Sequence, residues 1–384
     1  MGPRKPELEY VSFRNLRSQR QAGQTELTKD AYKALEKLAD GALKSGPFSI
    51  TFEKKFPHIA PSGDVSDFLS YAPYWWPDDT NTKYIRKDGK RNPDIGCVKD
   101  QSQLESFAES FTFLCLGYYF LNNENYAIYA VSLLDTFFLN EKTRMNPNLN
   151  YAQFVRGSQN TTKMGRGEGV ISSRVLSRIA NLLPLLDAFH AYYAINQYIK
   201  LWFANYLNWL TTSPVALQAS KSKNNIYTWY IVQKASIDFY LNPISTKPSN
   251  LIVDFFMNDL QKQIDPRTGN QPLESKRTKP FHYLAFNMQA ILYLAELAKD
   301  IGLNVYNSNN LIHSAIHYIT SFGNDPNQKE DITQAVRCVE IVLKRLNDHD
   351  NCCKQFIHTA YHCKYSDKIG GPKNAINALW SPIN

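Results

Sequence analysis

Apolar residues recur at every third or fourth position along most of this chain, a spacing typical of amphipathic α-helices. Two such runs, 101–121 and 126–137, are separated only by the segment NNEN and predict an antiparallel helical hairpin. Further helices are predicted near 28–44, 172–194, 197–212, 228–241, 250–263, 281–301, 308–322 and 330–347. Because no segment shows convincing strand alternation, we expect an all-α single domain of helical hairpins, stacked as a solenoid or closed into an (α/α) toroid.

Two predicted connections, 45–100 and 140–171, are far longer than the usual ~4 to 6 residues between elements. Both contain aromatic residues and glycine rather than the Ser, Glu and Lys runs of disordered segments. Long ordered loops often carry function, so we expect part of the functional site there. The tail from residue 365 is predicted to be a loosely attached arm.

The charge balance indicates a class of partner. The 384 residues include 43 Lys and Arg against 35 Asp and Glu, a net charge of +8 that favours nucleic acid, acidic polysaccharide or a membrane surface. Nucleic acid is disfavoured because the basic residues do not concentrate on one helix. A membrane span is not expected, since no apolar run reaches roughly 18 residues, and the start MGPRKPELEY lacks the apolar region of a signal peptide. We therefore expect a soluble chain, or one whose signal has been removed.

The six cysteines lack paired CxxC spacing, which disfavours a zinc ribbon. Four lie close together in the sequence and could form one or two disulfides in an oxidising compartment, with the pairing left open: Cys338, Cys352, Cys353 and Cys363.

The histidines give weak metal signals. His313 and His317 have the i, i+4 spacing of metal ligands but lack the acidic residue of HExxH, and His358 and His362 lie near the cysteines. We expect no functional metal and no cofactor.

The segment SYAPYWWPDD, at 70–79, concentrates large aromatic side chains: Tyr71, Tyr74, Trp75 and Trp76. Such a run cannot all face one core, so part of it is expected to face a cleft, where rings stack on sugar faces. A loop that plugs the end of a helical barrel is the other interpretation, and both can hold together.

Seven motifs then occur in order along the chain. They are PSGDVSDFLSYAPYWWPDD (61–79), NPD (92–94), TRMNPNLNYAQ (143–153), GRGEGVIS (165–172), WLTTSP (209–214), NNIYTWY (224–230) and KRTKPFHYLAFNMQAILYLAELAKDIG (276–302). Together they resemble the alginate lyase domain family of polysaccharide lyases, which has bacterial and fungal members.

The resemblance implies an (α/α) toroid with an alginate-lyase-like core at 45–325, preceded by a helical segment at 1–44 and followed by a C-terminal helix and cysteine-containing tail at 326–384. It implies β-elimination on a 4-linked polyuronate, alginate or glucuronan, without a cofactor. It also implies an acidic polysaccharide as partner and an extracellular or periplasmic location.

This chemistry needs particular groups. Donors must offset the uronate carboxylate, a base must remove the C5 proton, and an acid must protonate the departing O4. Carried over from the family, the catalytic Tyr falls on Tyr283, the Arg that favours its phenolate on Arg277, and a carboxylate-neutralising donor on Asn225. Asn287, four residues after Tyr283, is expected to support it. Without the resemblance, Tyr283 would be interpreted as a packed aromatic at a helix start.

The chain departs from the family at two histidines. NNIYTWY replaces NNHGTWY, so Ile226 and Tyr227 stand for His and Gly, and Ser66 stands for the His of SGDKHDY. Ile cannot donate a hydrogen bond, and loss of one preorganised donor lowers turnover by about 10²–10³. A catalytically degenerate protein that binds acidic glycan is therefore the alternative interpretation, although the Tyr227 hydroxyl could fill the vacancy.

Further substrate contacts are expected from the aromatic segment, the second long loop and the two later motifs. These residues are Tyr74, Trp75, Trp76, Tyr151, Gln153, Arg166, Tyr227, Trp229, Tyr230 and His282.

Overall fold

The computed structural model describes residues 8–306, 310–346 and 350–381. Residue contacts divide the chain into two compact units, each built from separated stretches. One, here called the Tyr283 unit, comprises Met1–Leu38, Lys223–Ala235 and Thr246–Asn384. The other, the Tyr74 unit, comprises Ala39–Ser222 and Ser236–Ser245. The expected division at residues 44 and 325 follows the family resemblance rather than these units and stays a prediction.

Helices dominate both units. The α-helices are α1 (Phe13–Ala22), α2 (Lys29–Leu43), α3 (Asp100–Leu121), α4 (Glu124–Leu134), α5 (Val175–Leu182), α6 (His190–Thr212), α7 (Pro214–Ser220), α8 (Asn225–Leu241), α9 (Lys247–Asp254), α10 (Leu260–Gln263), α11 (Pro272–Ser275), α12 (Pro280–Asp300), α13 (Leu311–Gly323), α14 (Val336–Leu346), α15 (Asn351–His362) and α16 (Pro372–Ala375). Short 3-10 helices lie at Pro93–Cys97, Gly167–Ser173, Leu183–Leu186, Ile332–Ala335, Ser366–Lys368 and Ile376–Leu379, and π-helical turns at Asp135–Leu139 and Phe255–Asp259.

The predicted hairpin is present in the Tyr74 unit as α3 and α4, which pack against each other. Asn122 ends α3 in the left-handed conformation, and the Asn123 side chain caps α4 by accepting from the Asn125 N–H. A Cβ at Gly117 would lie 2.8 Å from the Ala39 Cβ and 2.9 Å from the Tyr126 ring. Glycine therefore permits the close approach of these elements.

The sequence predicted helices at 172–194 and 197–212, but the break between two helices lies earlier in the chain than predicted. The structure ends α5 at Leu182, places a 3-10 turn at Leu183–Leu186, and continues α6 without interruption from His190 to Thr212. Pro184 explains the break, because proline has no N–H for the helical ladder and its ring clashes with the preceding turn.

The two long loops contain short strands that the sequence pattern did not reveal. Their strands, three or four residues long, are β1 (Leu69–Tyr71), β2 (Trp75–Pro77), β3 (Tyr84–Arg86) and β4 (Tyr151–Phe154). Strands β2 and β3 form an antiparallel hairpin, whereas β1 from the first loop pairs in parallel with β4 from the second. The two loops thus lie together within the Tyr74 unit, and a sequence pattern this short cannot show strand alternation.

The centre of the Tyr283 unit is α12, which packs against α9, α11, α13 and α14. Most of its residues are buried on all sides, as expected of a helix that lacks a broad polar face. Pro280 starts it, and the Glu330 carboxylate accepts from the Phe281 N–H (2.9 Å) and the His282 N–H (3.1 Å). An anion there complements the positive end of the helix dipole.

The tail is not the loose arm that was expected. Short helical turns cover most of Ser366–Leu379, and Ile376, Leu379 and Trp380 are buried. Asn15 holds the end by donating to the Trp380 carbonyl at 2.8 Å, within the Tyr283 unit. Burial of a large ring offsets the entropy of ordering the tail.

Two further expectations concern the whole chain. Among the described residues, no helix combines the length and apolar character that crossing a membrane requires. All six cysteines are free thiols in this structure.

Candidate active site

Arg277 and Tyr283 are in direct contact in the Tyr283 unit. Arg277 Nη2 donates to the Tyr283 hydroxyl oxygen at 2.8 Å, and its guanidinium carbon lies 3.8 Å from the ring centroid. Arg277 precedes α12 and Tyr283 lies in the first turn, so six residues bring the two side chains together. Because a guanidinium can only donate, the phenolic oxygen must accept, and this arrangement favours the phenolate.

Asn225 is held by a buried carboxylate that sequence reasoning missed. Glu274 Oε1 accepts from the Asn225 backbone N–H (2.7 Å) and from Nδ2 (2.8 Å), and Oε2 accepts from Nδ2 at 2.8 Å. Burial raises the pKa of Glu274, while the Asn225 hydrogen bonds and the Arg277 charge oppose that rise. No local sequence pattern pointed to Glu274, because its contact with Asn225 joins residues 49 positions apart.

This contact bears on the expected role of Asn225. Its side-chain amide donors are directed at Glu274, and only 2% of the residue is exposed. The geometry therefore fixes Asn225 at the start of α8. Donation to a substrate carboxylate would require the amide to leave or share Glu274.

A cluster of buried amides lies beneath α12. Asn287 Nδ2 donates to Gln271 Oε1 (2.8 Å) and Gln263 Oε1 (3.0 Å), and the Thr228 hydroxyl also donates to Gln263 Oε1 at 3.1 Å. All four residues are buried. Gln263 of α10 thus links Thr228 of α8 to Asn287 of α12, and Asn287 has a supporting position. The separate positions of the two glutamines in the sequence gave no signal of this cluster.

Ile226 and Tyr227, which the family resemblance led us to expect in place of a His and a Gly, lie in the first turn of α8. Ile226 is partly buried and brings no polar side-chain atom to this position. The Tyr227 hydroxyl donates to Asp259 Oδ2 at 2.5 Å, and burial together with Asp259 raises the pKa of Tyr227. Tyr227 is therefore a poor base, and its hydroxyl is already engaged.

His282 lies beside Tyr283 with ring centroids 5.1 Å apart. Its Nδ1 lies 2.7 Å from Gln334 Oε1, so Nδ1 is the protonated nitrogen of a neutral ring. Burial lowers the pKa of His282, which favours that neutral form.

Trp229 and Tyr230 require a correction. Trp229 is fully buried with its ring 5.3 Å from that of Phe286, and only 4% of Tyr230 is exposed. Side chains in such core positions cannot reach a polymer without unpacking, so these two are no longer proposed as sugar contacts.

The aromatic segment belongs to the Tyr74 unit, where Tyr74, Trp75 and Trp76 are all partly exposed. Trp75 and Trp76 are consecutive residues of β2, so their side chains point to opposite faces of the hairpin. The Arg166 guanidinium lies 5.3 Å from the Trp75 ring centroid, whereas Trp76 Nε1 donates to the Lys90 carbonyl at 2.7 Å. One flat ligand cannot stack on both rings.

The other expected sugar contacts in this unit hold the loops together. Arg166 forms an ion pair with Glu168, and Gln153 Nε2 donates to the Glu168 carbonyl at 3.2 Å. The partly buried Tyr151 packs on a small apolar cluster that includes Leu69.

The Asp residues of the SGDVSDF motif have a similar structural role. Asn146 Nδ2 donates to Asp64 Oδ2 (2.8 Å) and Asp67 Oδ1 (2.9 Å), and Ser66 accepts the Asn146 backbone N–H through its carbonyl. Ser66 therefore contributes a backbone carbonyl to this turn.

The chain is similar to known alginate lyases in sequence and in structure. The sequence profile described as "Alginate lyase" matches residues 51–328. An alginate lyase from Bacteroides ovatus is similar over 98% of this chain and 100% of its own, with 28% identity and a TM-score of 0.84. Alginate lyase A1-III from Sphingomonas species A1 has 15% identity and a TM-score of 0.58 over 97% of this chain and 95% of its own. A variant of that lyase, complexed with a tetrasaccharide, has 15% identity and a TM-score of 0.53 over 94% of this chain and 97% of its own. No protein among the curated sequences matches the chain.

The structural likeness confirms the expected fold class, all-α with the (α/α) toroid fold of these lyases. The family profile covers well over half of the sequence, from the first long loop to the segment after α13. The chain therefore belongs to the alginate lyase family of polysaccharide lyases.

Proposed function

We propose that the chain cleaves a 4-linked polyuronate by β-elimination, with Tyr283 as both base and acid. The single observation that carries this proposal is the contact of Arg277 with Tyr283, in which a cation donates to the phenolic oxygen at 2.8 Å. A phenol becomes an effective base when a nearby positive charge favours its ionised form.

In the proposed reaction, Tyr283 alone accepts and then returns one proton. The phenolate oxygen of Tyr283 takes the C5 proton, and the electron pair left on C5 is delocalised into the adjacent carboxylate. The C4–C5 double bond then forms as the C4–O4 bond breaks. The protonated hydroxyl, on the same face of the sugar, gives its proton to O4. Tyr283 returns to its starting state, and the products are a reducing end and an unsaturated uronate.

Charge stabilisation in this scheme falls to Arg277, because Asn225 already donates to Glu274. Carboxylate neutralisation by a preorganised donor contributes about 3–4 kcal/mol in comparable oxyanion sites. With Ile226 in place of the family His, we propose that the parent enzyme turns over slowly rather than not at all.

Within the Tyr74 unit, we propose Tyr74 and Trp75, in preference to Trp76, as residues that contact sugar rings. Trp75 is partly exposed, and the guanidinium of Arg166, which is ion-paired with Glu168, lies over its ring. An aromatic surface beside a guanidinium group suits stacking on a sugar ring. Alginate and glucuronan are both 4-linked chains of uronates, so both stay candidates. Because such polymers do not enter cells, we also propose that the protein acts outside the cytoplasm.

A non-catalytic protein that binds acidic glycan is the second candidate. Ile226 favours it, because the family resemblance implies a His at this position, and the partly buried aliphatic side chain has no group that donates a hydrogen bond. The Arg277 contact with Tyr283 favours the enzyme, since binding alone does not require a phenolic oxygen held by a cation.

One assay separates the two candidates. The purified chain, at high concentration, is incubated with mannuronan, guluronan and glucuronan, and the ultraviolet absorbance of the unsaturated product is followed. A lyase gives rising absorbance with at least one polymer. Polymer binding without any absorbance change supports the glycan-binding protein instead.

A further inference from the structure

A second group of chemically versatile side chains lies in the Tyr283 unit, away from the residues discussed above in the sequence. His317 on α13 meets Asp350 and Cys353 at the start of α15, with one candidate ligand atom from each lying within 4.8 Å of the others. His313, one helical turn before His317, has its Nε2 2.9 Å from His317 Nε2. The i, i+4 spacing seen in the sequence gains its missing acidic partner from another helix.

We propose that His317, Asp350 and Cys353 bind a zinc ion that links α13 to α15. Imidazole, carboxylate and thiolate are the side chains that Zn²⁺ uses, and three protein ligands leave a fourth position for water. Zinc ligands at about 2.0 to 2.3 Å from the metal lie roughly 3.2 to 3.8 Å from one another. His317 Nδ1 and Asp350 Oδ2, 2.9 Å apart, therefore need to separate by a few tenths of an ångström, and no pair of ligand atoms, all within 4.8 Å of one another, needs to approach by more than about 1 Å.

The contacts of His317 suit this role. Its Nδ1 lies 2.9 Å from Asp350 Oδ2, on the side of the proposed ion, whereas Nε2 faces His313. Zinc-binding imidazoles usually donate their other N–H to a neighbouring acceptor, which fixes the ring orientation. His313 supplies that acceptor if its own proton is on Nδ1, so it is a positioning residue and not a ligand.

The backbone also prepares the acidic ligand. Asp350 caps α15 by accepting from the Cys352 N–H through Oδ1 (3.0 Å), which leaves Oδ2 directed at His317. Cys353 is 1% exposed, so its sulfur approaches from the protein side, whereas His317 and Asp350 are partly exposed and give an ion access. The capping role of Asp350 accounts for the position of its Oδ1 only. It does not account for the Cys353 thiol close to Oδ2.

Cobalt tests the proposal, because Co²⁺ replaces Zn²⁺ and reports thiolate ligation by a charge-transfer band. The full chain, kept reduced and stripped of metal, is titrated with Co²⁺. We expect the band to saturate at one Co²⁺ per chain and to disappear when Zn²⁺ is added. A parent chain without the band in excess Co²⁺ overturns the proposal.

Variants locate the site. Cys353→Ser should abolish the band, and Asp350→Asn, which keeps a capping side chain, should weaken Co²⁺ binding at least tenfold. His313→Ala should weaken it roughly 10- to 100-fold while the band remains. Cys352→Ser and His358→Ala are matched controls that should leave the titration unchanged. A band that survives Cys353→Ser, or one that is lost with Cys352→Ser, refutes the assignment. Because Cys353 is buried, Cys353→Ser could also lower stability, and Asp350→Asn therefore gives an independent test of the same site.

Discussion

Replacing Arg277 with Gln should reveal what the guanidinium does for Tyr283. The change removes the cation 3.8 Å from the ring centroid and the donor 2.8 Å from the phenolic oxygen. A hydrogen bond to a charged group contributes about 1.5–3 kcal/mol, so kcat/KM should fall roughly 10- to 150-fold from this contact alone. Any contact of Arg277 with the substrate carboxylate would add to the loss.

The pH profile distinguishes these two effects. If Arg277 favours the phenolate, its removal shifts the acidic limb of kcat/KM to higher pH, because the ionised phenol loses the neighbouring positive charge. Activity should then partly recover in alkaline buffer. The assay is product absorbance across a pH series, with the unfolding midpoint of each variant as a fold control.

Arg267→Gln is the matched control, because its side chain is 89% exposed and the charge change is the same. It should leave both rate and profile unchanged. An Arg277→Gln profile with the parent's shape and only a raised KM would refute the proposed action on Tyr283. Arg277 would then be a substrate-binding residue alone.

Three further predictions follow from other contacts. Glu274→Gln should lower the free energy of unfolding by about 1.5–3 kcal/mol and change kcat/KM much less, because the carboxylate that holds the Asn225 backbone N–H and side-chain amide is lost; unchanged stability in chemical denaturation would contradict this. Ile226→His should raise turnover, by up to about 10²–10³, in initial-rate assays, and no gain would show that the missing donor does not limit the enzyme. Burial raises the pKa of Asp100 to about 6 despite its ion pair with Lys54. Between pH 3.8 and about 6, the folded chain therefore holds a proton on Asp100 that the unfolded chain releases. The free energy of unfolding should fall by up to about 3 kcal/mol as pH rises through this range. Chemical denaturation of Asp100→Asn should lack this fall, although the unpaired Lys54 destabilises it overall.

Periodicity was a good guide where a helix is long and interrupted by neither proline nor a change of helix type. It predicted α3 and α12 to within one or two residues, because their apolar positions repeat over five or more turns. It failed at Pro184, whose effect on the helix outweighs the apolar stripe around it. It also missed strands of three residues in the loops, since two alternations cannot be told from chance.

In the candidate site, contacts between residues close in the sequence were predictable, and contacts between distant residues were not. The short separation of Arg277 and Tyr283 made their contact predictable, because a loop entering a helix over six residues can bring both together. Glu274 with Asn225 joins residues 49 positions apart, and the buried amides of Gln263, Gln271 and Asn287 meet only after α10 and α12 pack. Such tertiary contacts leave no local pattern, so the sequence could name Asn225 but not the carboxylate that holds it.

Tyr283→Phe is the most direct test of the account. The substitution removes only the hydroxyl that is proposed to move both protons, and it keeps the ring that packs against Arg277. Product absorbance and polymer binding are measured for parent and variant with the polymer that the parent cleaves best. The account predicts that the variant binds the polymer as the parent does and forms no unsaturated product. Product formation at the parent's rate by Tyr283→Phe would contradict it.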